Sequence, residues 1–187
     1  MVDTFKLVKK LVETPGPSGY ENRIAAIVKE TWEPLVDEIS IDRIGSLVAI
    51  KHGNGPEPRP RLLLAAHMDE IGLMVSQIVS YPDDDDGYGY LKVSRVGGID
   101  IRHLYGQIVA VHGSQGDGED LVGILGALPT SMLPEDRRSK AYGYDELVVD
   151  PGLPVSTLKA KVAVGDFITF RQPLRKLMNK WVSGKAL

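Results

Sequence analysis

Arg61-Leu-Leu-Leu-Ala-Ala-His-Met-Asp-Glu-Ile-Gly72 is the stretch on which the fold of this chain turns. It opens as a nearly all-apolar run and ends in a small polar cluster. A short apolar run bounded by polar residues reads as a strand buried on both faces of a parallel sheet. In open α/β sheets, ligand chemistry gathers at the carboxyl ends of such strands, and His67 and Asp69 sit at that end. Side chains two apart on an extended chain point to the same side. That brings the Asp69 carboxylate within reach of one imidazole nitrogen of His67 and leaves the other nitrogen for a metal. An isolated His-x-Asp has a simpler reading as well, a capped strand end beside a surface histidine.

Upstream of this run, Phe5, Leu7, Val8, Leu11 and Val12 fall on one helical face opposite lysines, with Asp3 or Thr4 as cap. Thr14-Pro-Gly-Pro-Ser-Gly19 breaks that helix and reads as a connector. Ser18 and Glu21 have capping-box spacing and are expected to open a second helix through Ile24, Ile27, Val28 and Trp32. Val36 to Ile50 reads as two strands about a turn at Gly45, followed by a turn-rich loop that leaves His52 solvated. The front of the chain is therefore expected to run α-α-β-β-β.

Downstream of Gly72 the pattern changes. Leu73 to Val79, Tyr88 to Val96, Gln107 to Val111 and Leu121 to Leu125 are short strand-like runs between Gly- and Asp-rich turns. Tyr144 to Asp150 and Gly165 to Phe170 continue the series, with a helical turn over Val155 to Val162. This spacing predicts a small β-barrel or sandwich. The acidic run Asp83 to Asp86 lacks the staggered ligands of a calcium loop and is expected at a hairpin tip. Gly113 to Gly118 lacks the Lys-Ser/Thr ending of a phosphate loop and is expected to be a hairpin turn. His103 and His112 lie in β-rich sequence and are read as structural. The last residues look like a route back to the first domain. On these elements alone the front domain looks unfinished, because a buried parallel strand needs neighbours on both sides.

The chain has 187 residues, enough for one good core or two small domains. It has no cysteine, which excludes disulfides, thiolate metal sites and cysteine nucleophiles. A net charge of −3 without a basic, aromatic-rich patch argues against nucleic acid as partner. No apolar run approaches membrane length and no secretory leader precedes the first helix, so a soluble, cytoplasmic protein is expected.

Seven stretches then occur in order: Thr14-Pro-Gly-Pro-Ser-Gly-Tyr-Glu21, Ala66-His-Met-Asp-Glu-Ile-Gly72, Gly97-Gly-Ile-Asp100, Gly123-Ile-Leu-Gly-Ala127, Tyr144-Asp-Glu-Leu147, Val164-Gly-Asp166 and Ser183-Gly-Lys-Ala-Leu187. Together they resemble the co-catalytic metallo-aminopeptidases of family 42, which include tetrahedral and glutamyl aminopeptidases and some relatives labelled endoglucanase. The resemblance implies an α/β catalytic domain interrupted by a β-barrel-like dimerisation domain. Residues 1–71 would be the first part of the catalytic domain, 72–173 the insert and 174–187 the return. It also implies hydrolysis of N-terminal residues from peptides with two divalent metals, zinc or cobalt, and a glutamate base.

Carried over by position, His67 matches the first-domain metal ligand and Asp69 the carboxylate that orients it. In the family, the bridging aspartate, the glutamate base and the other ligands follow the Ser-Gly-Lys-Ala-Leu stretch. The chain is therefore expected to be the N-terminal half only, binding the two metals weakly and inactive by itself. Its expected partners are peptide substrates, further copies of itself through the β-domain, and a chain supplying the missing half. A gene truncation, a split enzyme and an artificial boundary all remain open readings. The alternative from another class is a non-catalytic oligomerisation module built on the β-domain. A glycosidase needs two facing carboxylic groups, and no such pair stands out.

Overall fold

The computed structural model describes residues 3–81, 87–127, 130–140 and 142–185. The chain divides into two compact units, Met1–Glu70 and Ile71–Leu187.

In the first unit, Asp3 caps α1 (Thr4–Glu13) by accepting the Lys6 N–H at 3.1 Å, which satisfies one of the orphan donors at the helix start. The helix buries Val12 and keeps its lysines in solvent. A second helix, α2 (Asn22–Trp32), buries Ile24, Ala25 and Ile27. The connector is tight: a Cβ on Gly16 would lie 2.5 Å from Ile24 Cγ1, so a side chain there would displace the helix. Next come β1 (Glu38–Ile41) and β2 (Leu47–Ile50), paired antiparallel. Asp42 Oδ1 accepts the N–H groups of Ile44 and Ser46 across their turn, and Gly45 takes φ +92°, which a residue with a Cβ resists.

Two expectations for this unit need correction. Ser18 does not cap α2; Glu21 holds the cap position without a side-chain bond, and its carboxylate accepts from the Gly19 N–H at 2.8 Å. Nor is a buried parallel strand formed over residues 61–67. Residues 51–69 form neither helix nor strand, and Leu62, Leu63 and Leu64 are 85, 87 and 84% exposed. The physical reason is a lack of neighbours. Burying an apolar run on two faces needs flanking strands and a layer on each side, and β1 and β2 pair only with each other among the described residues.

The second unit follows its sequence pattern, except that Tyr144–Glu146 form a 3-10 turn ahead of the strand expected from Tyr144. β3 (Gly72–Tyr81), β4 (Tyr88–Val96), β5 (Ile108–His112), β6 (Asp120–Ala127), β7 (Leu147–Pro154) and β8 (Phe167–Phe170) close into a barrel. The order is β3-β4-β7-β6-β5-β8, with every neighbouring pair antiparallel and β8 returning to β3. Of the barrel and the sandwich, the barrel is the outcome, and closure removes exposed sheet edges. Alternation with period two sends Leu73 and Val75, Leu91 and Val93, Val109 and Val111, and Leu147 and Val149 inward to one core. Bulges after Val75 and Gly89 add the bend that closure requires.

A short helix, α3 (Val155–Lys161), packs on β3, β4 and β7 and buries Val155 and Leu158. Gly89 admits it closely: a Cβ there would lie 2.7 Å from Leu158 Cδ2 and 3.0 Å from Val155 Cα. Residues 113–118 turn between β5 and β6, as expected. The acidic run Asp83 to Asp86 lies outside the described residues. Between β6 and β7 lie short 3-10 turns at Thr130–Met132 and Glu135–Arg137, and the final segment pairs β9 (Arg175–Lys176) with β10 (Val182–Ser183). No helix among the described residues is long and apolar enough to cross a membrane.

Candidate functional site

His67 and Asp69 meet as their spacing suggests. The His67 Nδ1 lies 3.0 Å from Asp69 Oδ1 and 2.9 Å from the Asp69 backbone oxygen. Both oxygens can only accept, so Nδ1 carries the ring proton and donates it. The lone pair of a neutral ring then sits on Nε2, on a side chain that is 84% exposed. A carboxylate on one ring nitrogen, with the other free, is the arrangement that orients imidazole toward a metal.

The connector between α1 and α2 holds this pair in place. The Ser18 hydroxyl donates to Asp69 Oδ2, the oxygen that His67 does not use. Beside it, the Gly16 N–H donates to Glu70 Oε1 at 2.9 Å, and the Glu70 N–H donates to the Gly16 carbonyl at 2.9 Å. Pro17 and Glu70 form a parallel bridge. The Pro-Gly-Pro-Ser loop is thus clamped along residues 69–70. The Asp69 carboxyl is held below the usual carboxylate range, chiefly by the Ser18 hydroxyl and then by His67, against a partial burial that pushes the other way.

The donor chemistry fits one position on a divalent ion that accepts nitrogen ligands. Among the described residues, no three His, Asp or Glu side chains gather closely enough to hold a metal ion. The chain as described therefore presents one imidazole with a carboxylate on its Nδ1, and no step of a reaction follows from it alone.

Of the other histidines, His112 serves structure. In the barrel, His112 Nδ1 lies 2.8 Å from Asp120 Oδ1 and Nε2 lies 2.9 Å from the buried Thr169 hydroxyl. This ties β6, β5 and β8 together. The carboxylate partner was not evident from spacing because Asp120 faces His112 only through strand register. His52 stays exposed, 3.1 Å from Glu38.

Several of the stretches that carry the family likeness are barrel fastenings. The Tyr144 hydroxyl donates to the Ile99 carbonyl. Glu146, 5% exposed, takes two bonds from Arg137 at 2.9 and 2.7 Å and one from the Gly143 N–H at 2.6 Å. These partners, Arg137 first, hold its carboxyl down to about 2. Asp166 accepts the N–H groups of Ser114 and Ala163 at 2.9 and 2.8 Å, joining two turns. What sequence spacing missed is Ser18, which stands 51 residues from the carboxylate it serves.

The sequence matches that of the lysyl aminopeptidase of Pyrococcus furiosus, 34% identical over 81% of this chain and 40% of that protein. In three dimensions it resembles a TET aminopeptidase from a marine sediment Thaumarchaeota archaeon, with a TM-score of 0.79 and 34% identity. That likeness covers 96% of this chain and 48% of the other. It also resembles the TET1 peptidase of Pyrococcus horikoshii, which can assemble into a tetrahedron or a large octahedral shell. There the TM-score is 0.73 and the identity 32%, over 98% of this chain and 51% of that one. The chain thus spans about half the length of the relatives it matches. The sequence pattern of the M42 glutamyl aminopeptidases matches residues 45–187, so the chain belongs to that family.

Proposed function

We propose that this chain contributes the first metal ligand, His67, and its orienting carboxylate, Asp69, to a dinuclear-metal aminopeptidase acting on the N-terminal residues of peptides. The observation that carries the reading is the Nδ1-to-Asp69 contact, which leaves the exposed Nε2 as a donor. His67 would help hold a divalent metal, zinc or cobalt, which when bound would supply polarisation of the scissile carbonyl and a more acidic water. What this chain's own residues do is hold one imidazole in a fixed tautomer and direction. A lone imidazole is far short of the three or four protein ligands that such an ion takes. The isolated chain is therefore read as inactive, with the remaining ligands and the base supplied by further polypeptide.

Within this proposal, residues 1–71 belong to the catalytic domain, 72–173 form the inserted barrel and 174–187 return toward the catalytic domain. A cytoplasmic location is part of the same reading. Self-association through the barrel is its second element, supported by an apolar outer face. Ile108 and Ile124 are cross-strand partners, as are Ala110 and Val122, and Ile108, Val122 and Ile124 are all half-exposed. The TET1 neighbour forms large shells.

The test is hydrolysis of aminoacyl chromogenic substrates with added zinc or cobalt, and with a chelator. The chain is assayed alone and mixed with a polypeptide carrying the rest of the M42 sequence. Turnover is expected only in the mixture, only with metal, and not with His67→Ala. Metal-dependent turnover by the chain alone that survives His67→Ala would sink the proposal.

A further inference from the structure

We infer that Ser18 is a positioning residue for His67: its hydroxyl fixes the Asp69 carboxylate so that the imidazole is held with the proton on Nδ1 and the lone pair on Nε2. The inference rests on the reading of His67 as a metal ligand.

The geometry behind it is a three-membered relay. Asp69 has two carboxylate oxygens with separate tasks. Oδ1 faces His67 Nδ1 at 3.0 Å, and Oδ2 takes the Ser18 hydroxyl. A carboxylate anchored at one oxygen only by a ring that is itself 84% exposed is free to turn about its side-chain bonds. The imidazole then loses the acceptor that selects its tautomer. Ser18 removes this freedom from the far side. Its own position does not depend on the bond it makes. Gly16 and Glu70 exchange two hydrogen bonds at 2.9 Å, and Gly16 is pressed against Ile24 of α2. Ser18, two residues beyond Gly16, is thus delivered to Asp69 by a clamp that a change at Ser18 leaves intact.

The experiment uses the metal-free 187-residue chain with nitrogen-15 label. Long-range proton–nitrogen spectra identify which ring nitrogen of His67 is protonated, with His67→Gln giving the assignment. The wild-type chain is expected to show Nδ1 protonated. In Ser18→Ala the population is expected to move to a mixture rich in the Nε2-protonated form, and Ser18→Thr, which keeps the hydroxyl, is expected to keep the wild-type state. An unchanged Gly16 amide signal reports that the clamp has survived.

If Ser18→Ala leaves His67 in the Nδ1-protonated form, or if the wild type does not hold that form, the inference is overturned. Should the Gly16 signal move in Ser18→Ala, the Thr variant decides: a wild-type ring supports the inference and an alanine-like ring overturns it. In the reconstituted enzyme, Ser18→Ala is expected to raise the zinc concentration for half-maximal activity about 10-fold. The tautomer readout needs neither metal nor turnover. Failure of the peptidase proposal and failure of the Ser18 inference therefore give different results.

Discussion

Gly89 of β4 lies tightly against the helix α3, and a double-mutant cycle there measures how tightly the helix is seated. A methyl group added at residue 89 would sit 2.7 Å from Leu158 Cδ2, 3.2 Å from Leu158 Cβ and 3.0 Å from Val155 Cα. The first of these contacts cannot persist, and the helix must shift or Leu158 must leave its rotamer. Overpacking of this kind costs about 1–3 kcal/mol, which is the expected loss for Gly89→Ala. Leu158 is fully buried in the core, so Leu158→Ala is expected to cost about 2–5 kcal/mol through lost burial and a residual cavity.

The two changes are not independent. Leu158→Ala deletes the Cδ2 atom that clashes with the new methyl, and that methyl fills part of the cavity left behind. Only the contacts to Leu158 Cβ and Val155 Cα stay tight, and a few tenths of an ångström relieve them. The double mutant is therefore expected to be more stable than the sum of the single losses predicts, by about 1 kcal/mol or more. Urea unfolding followed by circular dichroism gives the three differences, with unchanged slopes confirming that stability alone has moved. Additivity within about 0.5 kcal/mol would refute the packing account, since it would mean the two sites do not touch.

Leu63→Ala is expected to change the stability of this chain by no more than about 0.5 kcal/mol, because the side chain is already in water; a loss above about 2 kcal/mol would show that the run is buried in solution. The folded Glu146 carboxyl titrates near 2 against an ordinary 4.5, so its stabilisation is complete above pH 4.5 and disappears as the pH falls from there toward 2. Glu146→Gln should thus flatten the fall in urea midpoint over that window, and parallel pH curves for the two proteins would contradict the assignment. Ile108→Asp combined with Ile124→Lys should convert self-associated chain to smaller species in sedimentation velocity while leaving its circular dichroism intact. An unchanged distribution would remove the β5–β6 face as the interface.

How much of this was legible in the sequence depends on the range over which each feature is determined. The Asp3 cap, the turn at Gly45 and the alternation of Val109 with Val111 or Leu147 with Val149 are written within a few residues. Propensity, side-chain direction and turn chemistry act at that range. The pairing of His67 with Asp69 is local in the same sense, since residues two apart on an extended chain share a side. So are the ordered family stretches, although several of them fasten the barrel.

Three matters were decided only by tertiary structure. The apolar run Leu62 to Leu64 reads as a buried strand, yet burial belongs to the neighbours that cover a strand, and the described residues provide none. Barrel closure required β8 to find both β5 and β3, which no local pattern encodes. Ser18 has the spacing of a helix cap to Glu21, but its hydroxyl makes a single donation, and the folded loop directs it to a carboxylate 51 residues away. Local sequence sets what a side chain is able to do, and the contacts that fold brings together select which of those things it does.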